Sequence, residues 1–319
     1  MGRIDITVLK DVDMNSNRPD RTAVRAIVRA CVALHVLVVS ATGAWSATEP
    51  ADDLQPTIAV APFEVKSWHY QLQDIDPSVI AKSSADMIVI DYSGSNGPFT
   101  RAQVEQMKRK PDGSRRVVIA YVSIGEAETY RWYWPQRSSA WLGPENPQWR
   151  GNYGVRFWHP DWQAIIFEYT DKIIAAGFDG VYLDKVDEFE EMGRHDDMVE
   201  FVARISQRAK SQHEDFLIVS QNGDALIPDP KFRQAIDAFA REDLFYGEDN
   251  DGERNSSDSI RANIRRLKTL TAEGKPVFVV EYPRNEQQAQ TAQREIAEQE
   301  FVGLLARRAL DHQPRDAAD

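Results

Sequence analysis

The sequence contains almost no cysteine. Cys31 is the single cysteine among 319 residues, and it lies within the first 46 residues, which we predict to be removed from the mature protein. A chain without thiols cannot use cysteine catalysis, thiolate-bound metals or disulfides, and it suits an oxidising compartment. Because the hydrophobic run follows Cys31 instead of preceding it, lipid attachment at this cysteine is excluded as well.

Motifs of several other classes are also missing. The six histidines are scattered, with no pair at metal-ligand spacing, which disfavours a zinc-dependent polysaccharide deacetylase. No Gly-x-Ser-x-Gly elbow surrounds Ser93, Ser123 or Ser220, which disfavours a serine hydrolase. The acidic stretch "GEDNDGER", residues 247–254, lacks the acid spacing of an EF-hand, and we interpret it as a loop on the substrate rim. We predict neither a metal nor a cofactor.

Positive charge is in short supply. The formal net charge is −12, and removing residues 1–46 takes away six basic and four acidic residues, which leaves −14. Nucleic-acid binding requires positive surface and is therefore disfavoured. An acidic protein would attract a cationic ligand, although the same acidity would also serve simple solubility.

No hydrophobic run is long enough to span a bilayer comfortably. Arg18, Arg21, Arg25 and Arg29 precede an apolar run whose uninterrupted part is Ala30 to Ala41, and small residues follow it. This pattern predicts a signal peptide over residues 1–46, with Met14 as a second candidate start and an N-terminal membrane anchor as the alternative. We expect a linker over 47–66, a single folded domain over 67–313 and a tail over 314–319. The mature protein is then secreted or periplasmic, without stable membrane insertion.

Strand-like apolar runs alternate with helical segments from Trp68 onward. The eight strand candidates are "WHYQLQ" from Trp68, "MIVIDY" from Met87, "VVIAYVSIGE" from Val117, "GVYLD" from Gly180, "FLIVSQN" from Phe216, "AFARED" from Ala238, "PVFVVEY" from Pro276 and "FVGLLA" from Phe301. Eight such units in roughly 250 residues predict an α/β fold, a single-domain (β/α)8 TIM-type barrel. An open doubly wound sheet is the alternative, but a Gly-rich phosphate loop after the first strand is lacking.

Helix start and stop signals lie between these strands. Thr100 and Gln103 form a capping box. A second helix is predicted from Asp161 to a terminating Gly177, and a third from Asp258 to Gly274.

Most of the predicted strands end on acidic or amide residues. In a barrel of this type, functional groups come from the carboxyl ends of the strands. A lone carboxylate there would most often be a structural acid or a helix cap. Several converging on one rim repel one another, which raises their pKa values and predicts a carboxylate-lined pocket. The strand-end residues are Asp91, Tyr92, Glu126, Asp184, Gln221, Asn222, Glu242, Glu281 and Tyr282.

Aromatic residues are concentrated after the third strand, beginning with "YRWYW" at Tyr130 to Trp134. Such rings can stack on the apolar faces of sugars while carboxylates bind their hydroxyl or amino groups. Core packing is the alternative for some of them. We interpret Trp132 and Trp134 as ligand-facing, because they lie in a polar loop that contains proline, and Tyr130 and Arg131 as their neighbours in substrate binding.

The chain from about Ser67 to Gln313 resembles glycoside hydrolase family 114, the endo-α-1,4-polygalactosaminidase-like TIM barrels that include the hydrolase domain of a bacterial exopolysaccharide system. The shared motifs are "WHYQLQ", "VIDY", "AYVSIGEAETYRWYW", "NPQWRGNYGVRFW", "GFDGVYLDKVD", "SQNG" and "REDLFYG". The resemblance implies a secreted hydrolase of a polysaccharide that contains galactosamine, a cationic amino sugar. It also implies that Asp184 and Glu242 are the catalytic carboxylates.

By analogy with related α-glycosidase barrels, Asp184 is expected to be the nucleophile and Glu242 the acid/base, and the reverse assignment stays open. Asp91, Glu126 and Tyr282 are expected to bind hydroxyl or ammonium groups. Gln221 and Asn222 would supply neutral hydrogen bonds near the reacting sugar. The competing class is a non-catalytic carbohydrate-binding barrel, which could lose either acid, whereas this sequence retains both.

Overall fold

The computed structural model describes residues 64–134 and 139–311. The predicted signal peptide, most of the predicted linker and the predicted tail lie outside these residues. In the two described segments, no helix combines the length and the apolar character needed to cross a membrane.

Eight parallel strands form one sheet in which spatial order follows chain order. The strands are β1 (Trp68–Gln71), β2 (Met87–Asp91), β3 (Val117–Ser123), β4 (Gly180–Asp184), β5 (Leu217–Gln221), β6 (Ala238–Glu242), β7 (Val277–Glu281) and β8 (Val302–Leu305). The sheet curls until its ends meet. The Trp68 indole donates a hydrogen bond to the Val302 carbonyl at 3.1 Å, and the Leu72 amide donates to the Leu310 carbonyl at 2.8 Å. The predicted TIM-type barrel is confirmed.

At least one helix follows every strand from β1 to β7. The helices are α1 (Pro77–Ile80), α2 (Arg101–Met107), α3 (Pro160–Ala176), α4 (Glu188–Met192), α5 (His195–Gln212), a 3₁₀ turn (Asp224–Leu226), α6 (Pro230–Ala235), α7 (Ser257–Ala272) and α8 (Glu286–Glu298). The capping box at Thr100 and Gln103 is present, and α3 ends at Gly177, whose φ of 90° favours glycine. The predicted helix bounds differ from these by one or two residues.

Alternate side chains of each strand enter two different cores. Ile119 and Tyr121 of β3 point into the barrel, whereas Val118 and Ala120 pack against the helices. Because both faces of a parallel strand are buried, the strands read as continuous apolar runs, as in β2, where all five residues are buried. This alternation decides which strand-end residues reach the barrel mouth.

Two small antiparallel sheets were not predicted. One is a hairpin of Ser93–Gly94 with Gly97–Pro98 after β2. The other lies after β3 and contains Glu126–Glu128, Leu142–Glu145 and Asn152–Val155. In this sheet Asn152–Val155 is the central strand and pairs with both of the others. The third predicted strand therefore ends at Ser123, and Glu126 begins a separate strand that folds over the barrel mouth.

Candidate active site

The predicted catalytic carboxylates lie at the carboxyl ends of two strands, β4 for Asp184 and β6 for Glu242. Both side chains have the inward orientation of Tyr182 and Ala240, which lie two residues before them in the barrel interior. The barrel mouth is a cleft of about 980 Å³, and both carboxylates line it.

Asp184 is held by two hydrogen bonds. Its Oδ2 accepts one from the Tyr121 hydroxyl at 2.6 Å, and its Oδ1 accepts one from the Lys185 amide at 2.7 Å. Burial, followed by the nearby Glu242 charge, raises the pKa of Asp184 to about 7, against the opposing effect of the Tyr121 hydrogen bond. Near neutral pH, Asp184 can therefore either carry a proton or react as a carboxylate.

Glu242 lies within a second set of contacts. The Tyr282 hydroxyl donates to its Oε1, and the Gln221 side chain also hydrogen-bonds it. Burial raises the pKa of Glu242, and Asp243 adds to this, while Tyr282 and Arg308 lower it. The two carboxylates therefore have different partners and influence each other electrostatically, as expected of an acid and a base that work together.

The floor beneath the pair is aromatic. The rings of Tyr70 and Tyr182 lie 5.1 Å apart, and those of Tyr70 and Tyr121 lie 6.5 Å apart. Burial raises the pKa values of all three phenols well above their usual range, so their hydroxyl groups stay protonated and can act as donors. This floor excludes bulk water from one side of the carboxylates.

The chain turns sharply after the strands that carry the site. Lys185, Asn222 and Asp243 directly follow β4, β5 and β6, and all three have positive φ angles, of 60°, 56° and 53°. Residues other than glycine seldom adopt this backbone conformation, which costs roughly 1 kcal/mol or more for each residue. The Asn222 side chain accepts a hydrogen bond from the Glu242 amide at 3.1 Å and so connects two of these turns.

Asp91 and Arg131 are part of one buried ion network. The Arg131 guanidinium binds both oxygens of Asp91, at 2.8 and 2.7 Å, and its Nε donates to Glu128 at 2.6 Å. The Tyr130 hydroxyl donates to the second oxygen of Glu128. Arg131 therefore neutralises charge at this end of the cleft.

Glu126 occupies a comparable position beside Lys185, whose Nζ is 3.3 Å from its Oε1. The side-chain amides of Asn146 and Asn152 donate to its two oxygens at 2.7 and 3.3 Å. Its carboxylate is thus held by groups from three different segments of the chain.

Exposed rings form one side of the cleft, which we term the aromatic wall: Tyr130, Trp132 and Trp149. Their exposed fractions of 67%, 48% and 56% are unusual for side chains of this size, and all three line the cleft. The two Trp side chains and Tyr130 can therefore offer flat apolar surface to a ligand.

The structure brings most of the predicted site residues to the cleft. Those that line it are Asp91, Tyr92, Glu126, Tyr130, Arg131, Trp132, Asp184, Gln221, Asn222, Glu242 and Tyr282. Trp134 and Glu281 are not among the lining residues. The Trp134 ring packs on Tyr153 at 4.9 Å, and Glu281 has the outward orientation of Val279.

Glu281 has a different task in the structure. Its Oε1 accepts a hydrogen bond from the Phe245 amide at 2.8 Å, and burial raises its pKa to about 8. It therefore holds the loop that follows Glu242 from behind the barrel wall.

Several cleft residues were missed by the sequence analysis. Tyr70 and Tyr121 lie inside strands, whereas only strand ends were considered. Their signal was a tyrosine at an inward-facing position one or two residues before the strand end. Asp187 and Arg308 follow strand ends by several residues, and no local pattern marks them. Within the described part of the chain, no three His, Cys, Asp or Glu side chains are grouped so that they could hold a metal ion.

A nearly closed parallel barrel with two interacting carboxylates and exposed rings at its carboxyl-terminal mouth has the architecture of a glycoside hydrolase. The model of glycoside-hydrolase family GH114 matches residues 46–317. The chain belongs to this family.

Several other proteins are similar to this chain in sequence or in fold. An uncharacterized protein of Methanocaldococcus jannaschii is 42% identical over 235 residues, 67% of this chain, and the chain spans 66% of that relative's length. A Deinococcus radiodurans protein, also uncharacterized, is 32% identical over 77% of this chain and 82% of its own length.

Two solved structures share the fold at 19% identity and a TM-score of 0.63, each over 79% of this chain. They are Aspergillus fumigatus Ega3 in complex with galactosamine, of which 95% is covered, and the glycoside hydrolase domain of Pseudomonas aeruginosa PelA, of which 99% is covered.

Proposed function

We propose that the protein is a secreted glycoside hydrolase that cleaves α-1,4-linked galactosamine-containing polysaccharide with two carboxyl groups. The observation that carries this proposal is the pairing of Asp184 and Glu242, just above the aromatic floor of a cleft of about 980 Å³ that can hold part of a sugar chain. A binding protein would need the aromatic wall but would have no use for two desolvated carboxyl groups with raised pKa values.

In the proposed reaction, an oxygen of Asp184 attacks the anomeric carbon while Glu242 gives its proton to the departing glycosidic oxygen. Glu242 then takes a proton from water, the water oxygen attacks the same carbon, and the bond to Asp184 breaks. One water is consumed and both carboxyl groups return to their starting states. Tyr121 donates to Asp184 and Tyr282 to Glu242, so each carboxyl group is oriented by its own phenol.

The proposed substrate fits the charge and shape of the cleft. Asp184 has no cation within ion-pair distance in the described residues, so an ammonium group entering the site would favour its ionised form. The aromatic wall can stack on the apolar face of a sugar ring. Galactosamine bound to the structural relative Ega3 supports an amino sugar over a neutral one.

Reducing-end release tests the proposal. Wild-type protein should act on partially deacetylated galactosaminogalactan and leave chitosan intact, because the two polymers differ in sugar and in linkage. The Asp184→Asn protein should act on neither polymer. Wild-type protein that binds the first polymer without releasing reducing ends would be a non-catalytic carbohydrate-binding barrel.

Export is part of the proposal and is tested separately. Protein recovered from the periplasm or the medium should begin near Ser46 to Thr48, because the basic and hydrophobic regions before it match a signal peptide. N-terminal sequencing of the mature protein checks this. An intact Met1 or Met14 would support a membrane-anchored form instead.

A further inference from the structure

The cleft is lined by six carboxylates, and three of them already have a cation beside them. Arg131 binds both Asp91 and Glu128, at 2.7 and 2.6 Å. Lys185 lies 3.3 Å from Glu126. The other three, which have no ion pair within the described residues, are Asp184, Glu242 and Asp187.

The side chain of Asp187 does not cap the helix that follows it. It is the N-cap residue of α4, where an aspartate normally accepts a hydrogen bond from the helix backbone. Its side chain makes no such bond, nor any other hydrogen bond within the described residues. Both carboxylate oxygens are therefore free to accept hydrogen bonds from a ligand.

The backbone that carries Asp187 is fixed in place. Two residues earlier, Lys185 has a φ of 60°, in the left-handed region that few residues other than glycine adopt. On the other side, Gly223 packs so closely that an added Cβ would lie 2.9 Å from the Val186 side chain and 3.5 Å from the Asp187 amide. The Asp187 charge also acts on Asp184, whose pKa it raises, so the two carboxylates are close enough to interact.

We propose that Asp187 binds the ammonium group of the galactosamine residue at the scissile bond and thereby selects the sugar that lacks an acetyl group. In this sugar the nitrogen is on the carbon next to the anomeric carbon, so a group that binds it must lie beside the reacting carboxylates. An acetylated nitrogen carries no charge and would leave Asp187 desolvated and unpaired. The inference rests on the proposed function and adds the residue that recognises the nitrogen.

Substrate preference provides the kinetic test. Wild-type, Asp187→Asn and Asp196→Asn proteins would be assayed on fully deacetylated and fully acetylated α-1,4-galactosamine oligosaccharides of equal length. Asp187→Asn should lower the ratio of kcat/KM for deacetylated over acetylated substrate by roughly 10- to 100-fold, the loss expected for one charge-assisted hydrogen bond. Asp196 is fully exposed on α5, so its substitution removes the same charge far from the cleft and should keep the wild-type ratio.

A binding measurement separates this inference from the proposed function. The same three proteins would be titrated with galactosamine and with N-acetylgalactosamine by calorimetry, which requires no turnover. Wild-type protein and Asp196→Asn should prefer galactosamine, and Asp187→Asn should lose that preference whether or not any polymer is cleaved. Asp187→Ser serves as a second variant should the asparagine protein not fold.

Two outcomes would overturn the inference. One is a wild-type protein that binds both sugars equally, and the other is an Asp187→Asn protein that retains the preference. A preference that disappears in Asp187→Asn, in a protein that hydrolyses no polymer, would support the recognition role and refute the hydrolase.

Discussion

The hydroxyl of Tyr121 lies 2.6 Å from Oδ2 of Asp184 and donates a hydrogen bond to it. Within the described residues, no other side chain donates a hydrogen bond to this carboxylate. A phenol that donates to a carboxylate stabilises its ionised form and lowers its pKa. The bond therefore opposes the burial that raises the pKa of Asp184 to about 7.

Removing this hydroxyl should move the pH profile. In Tyr121→Phe we expect the acidic limb of kcat/KM to shift upward by roughly one pH unit, because Asp184, the proposed nucleophile, loses a hydrogen bond to its ionised form. Tyr153→Phe is the matched control, since Tyr153 packs on Trp134 and does not line the cleft. An unchanged limb would mean that Asp184 ionisation does not control the reaction.

Asp184→Asn should abolish nearly all turnover and yet raise thermal stability at pH 8. The folded-state pKa of about 7 lies above the ordinary value, so wild-type stability falls as pH rises from about 4 to about 7 and stays lower above that. The amide removes this buried charge. We expect Tm to rise by a few degrees at pH 8, on a scale of roughly 2–4 °C per kcal/mol, and by less at pH 5.

Calorimetry and a rate measurement on the same protein check both halves of this prediction. The control is Asp196→Asn, which should have wild-type rate and stability because that side chain is fully exposed. An active Asp184→Asn protein with a lowered Tm would assign Asp184 a purely structural role.

Glu242→Gln should lose turnover on polysaccharide but recover part of it on a sugar with an activated leaving group. Such a leaving group departs with little protonation, so loss of the general acid matters less. Release of 2,4-dinitrophenol from an aryl α-galactosaminide measures the recovery. Recovery in Asp184→Asn in place of Glu242→Gln would reverse the two roles.

Arg308 should position Glu242, the proposed acid/base residue, without touching it. Its guanidinium lies 4.3 Å from the centre of the Tyr282 ring and binds both oxygens of Asp243, at 3.1 and 3.0 Å. Because the Arg308 charge lowers the pKa of Glu242, Arg308→Ala should move the alkaline limb of kcat/KM to higher pH and lower kcat.

Arg308→Lys should restore the alkaline limb more fully than kcat, since lysine keeps the charge but not the two-pronged geometry. Arg307→Ala is the neighbouring control, because Arg307 is largely exposed and pairs with Asp311. A loss of kcat in Arg308→Ala without any shift of the limb would indicate general loosening of the segment.

The barrel could be predicted from sequence because each strand is an apolar run bounded by helix signals, and because the first strand lacks the Gly-rich phosphate loop typical of the open doubly wound sheet. Asp184 and Glu242 were found by the same route, as acids at strand ends. Which of two adjacent residues faces the cleft depends on the pleat, and this is why Tyr282 reaches it while Glu281 lies behind the wall.

The sequence did not reveal which side chains pair with one another at the site. Arg131 was predicted to bind substrate, but its guanidinium pairs with Asp91 and Glu128, which lie in two different strands. Nothing local in "YRWYW" indicates that its arginine is buried while Trp132 beside it is half exposed. Such contacts arise only when distant segments meet.

The two ion pairs of Arg131 have a consequence for the redesign of this protein. Asp91 ends β2, and Glu128 belongs to the small sheet that follows β3, so one guanidinium connects the segments that follow two neighbouring strands of the barrel. Exchanging either segment alone would strand a buried cation, at a cost of roughly 3–5 kcal/mol. Substitutions at Asp91 and Glu128 should therefore be strongly non-additive, and the two segments would have to be grafted together.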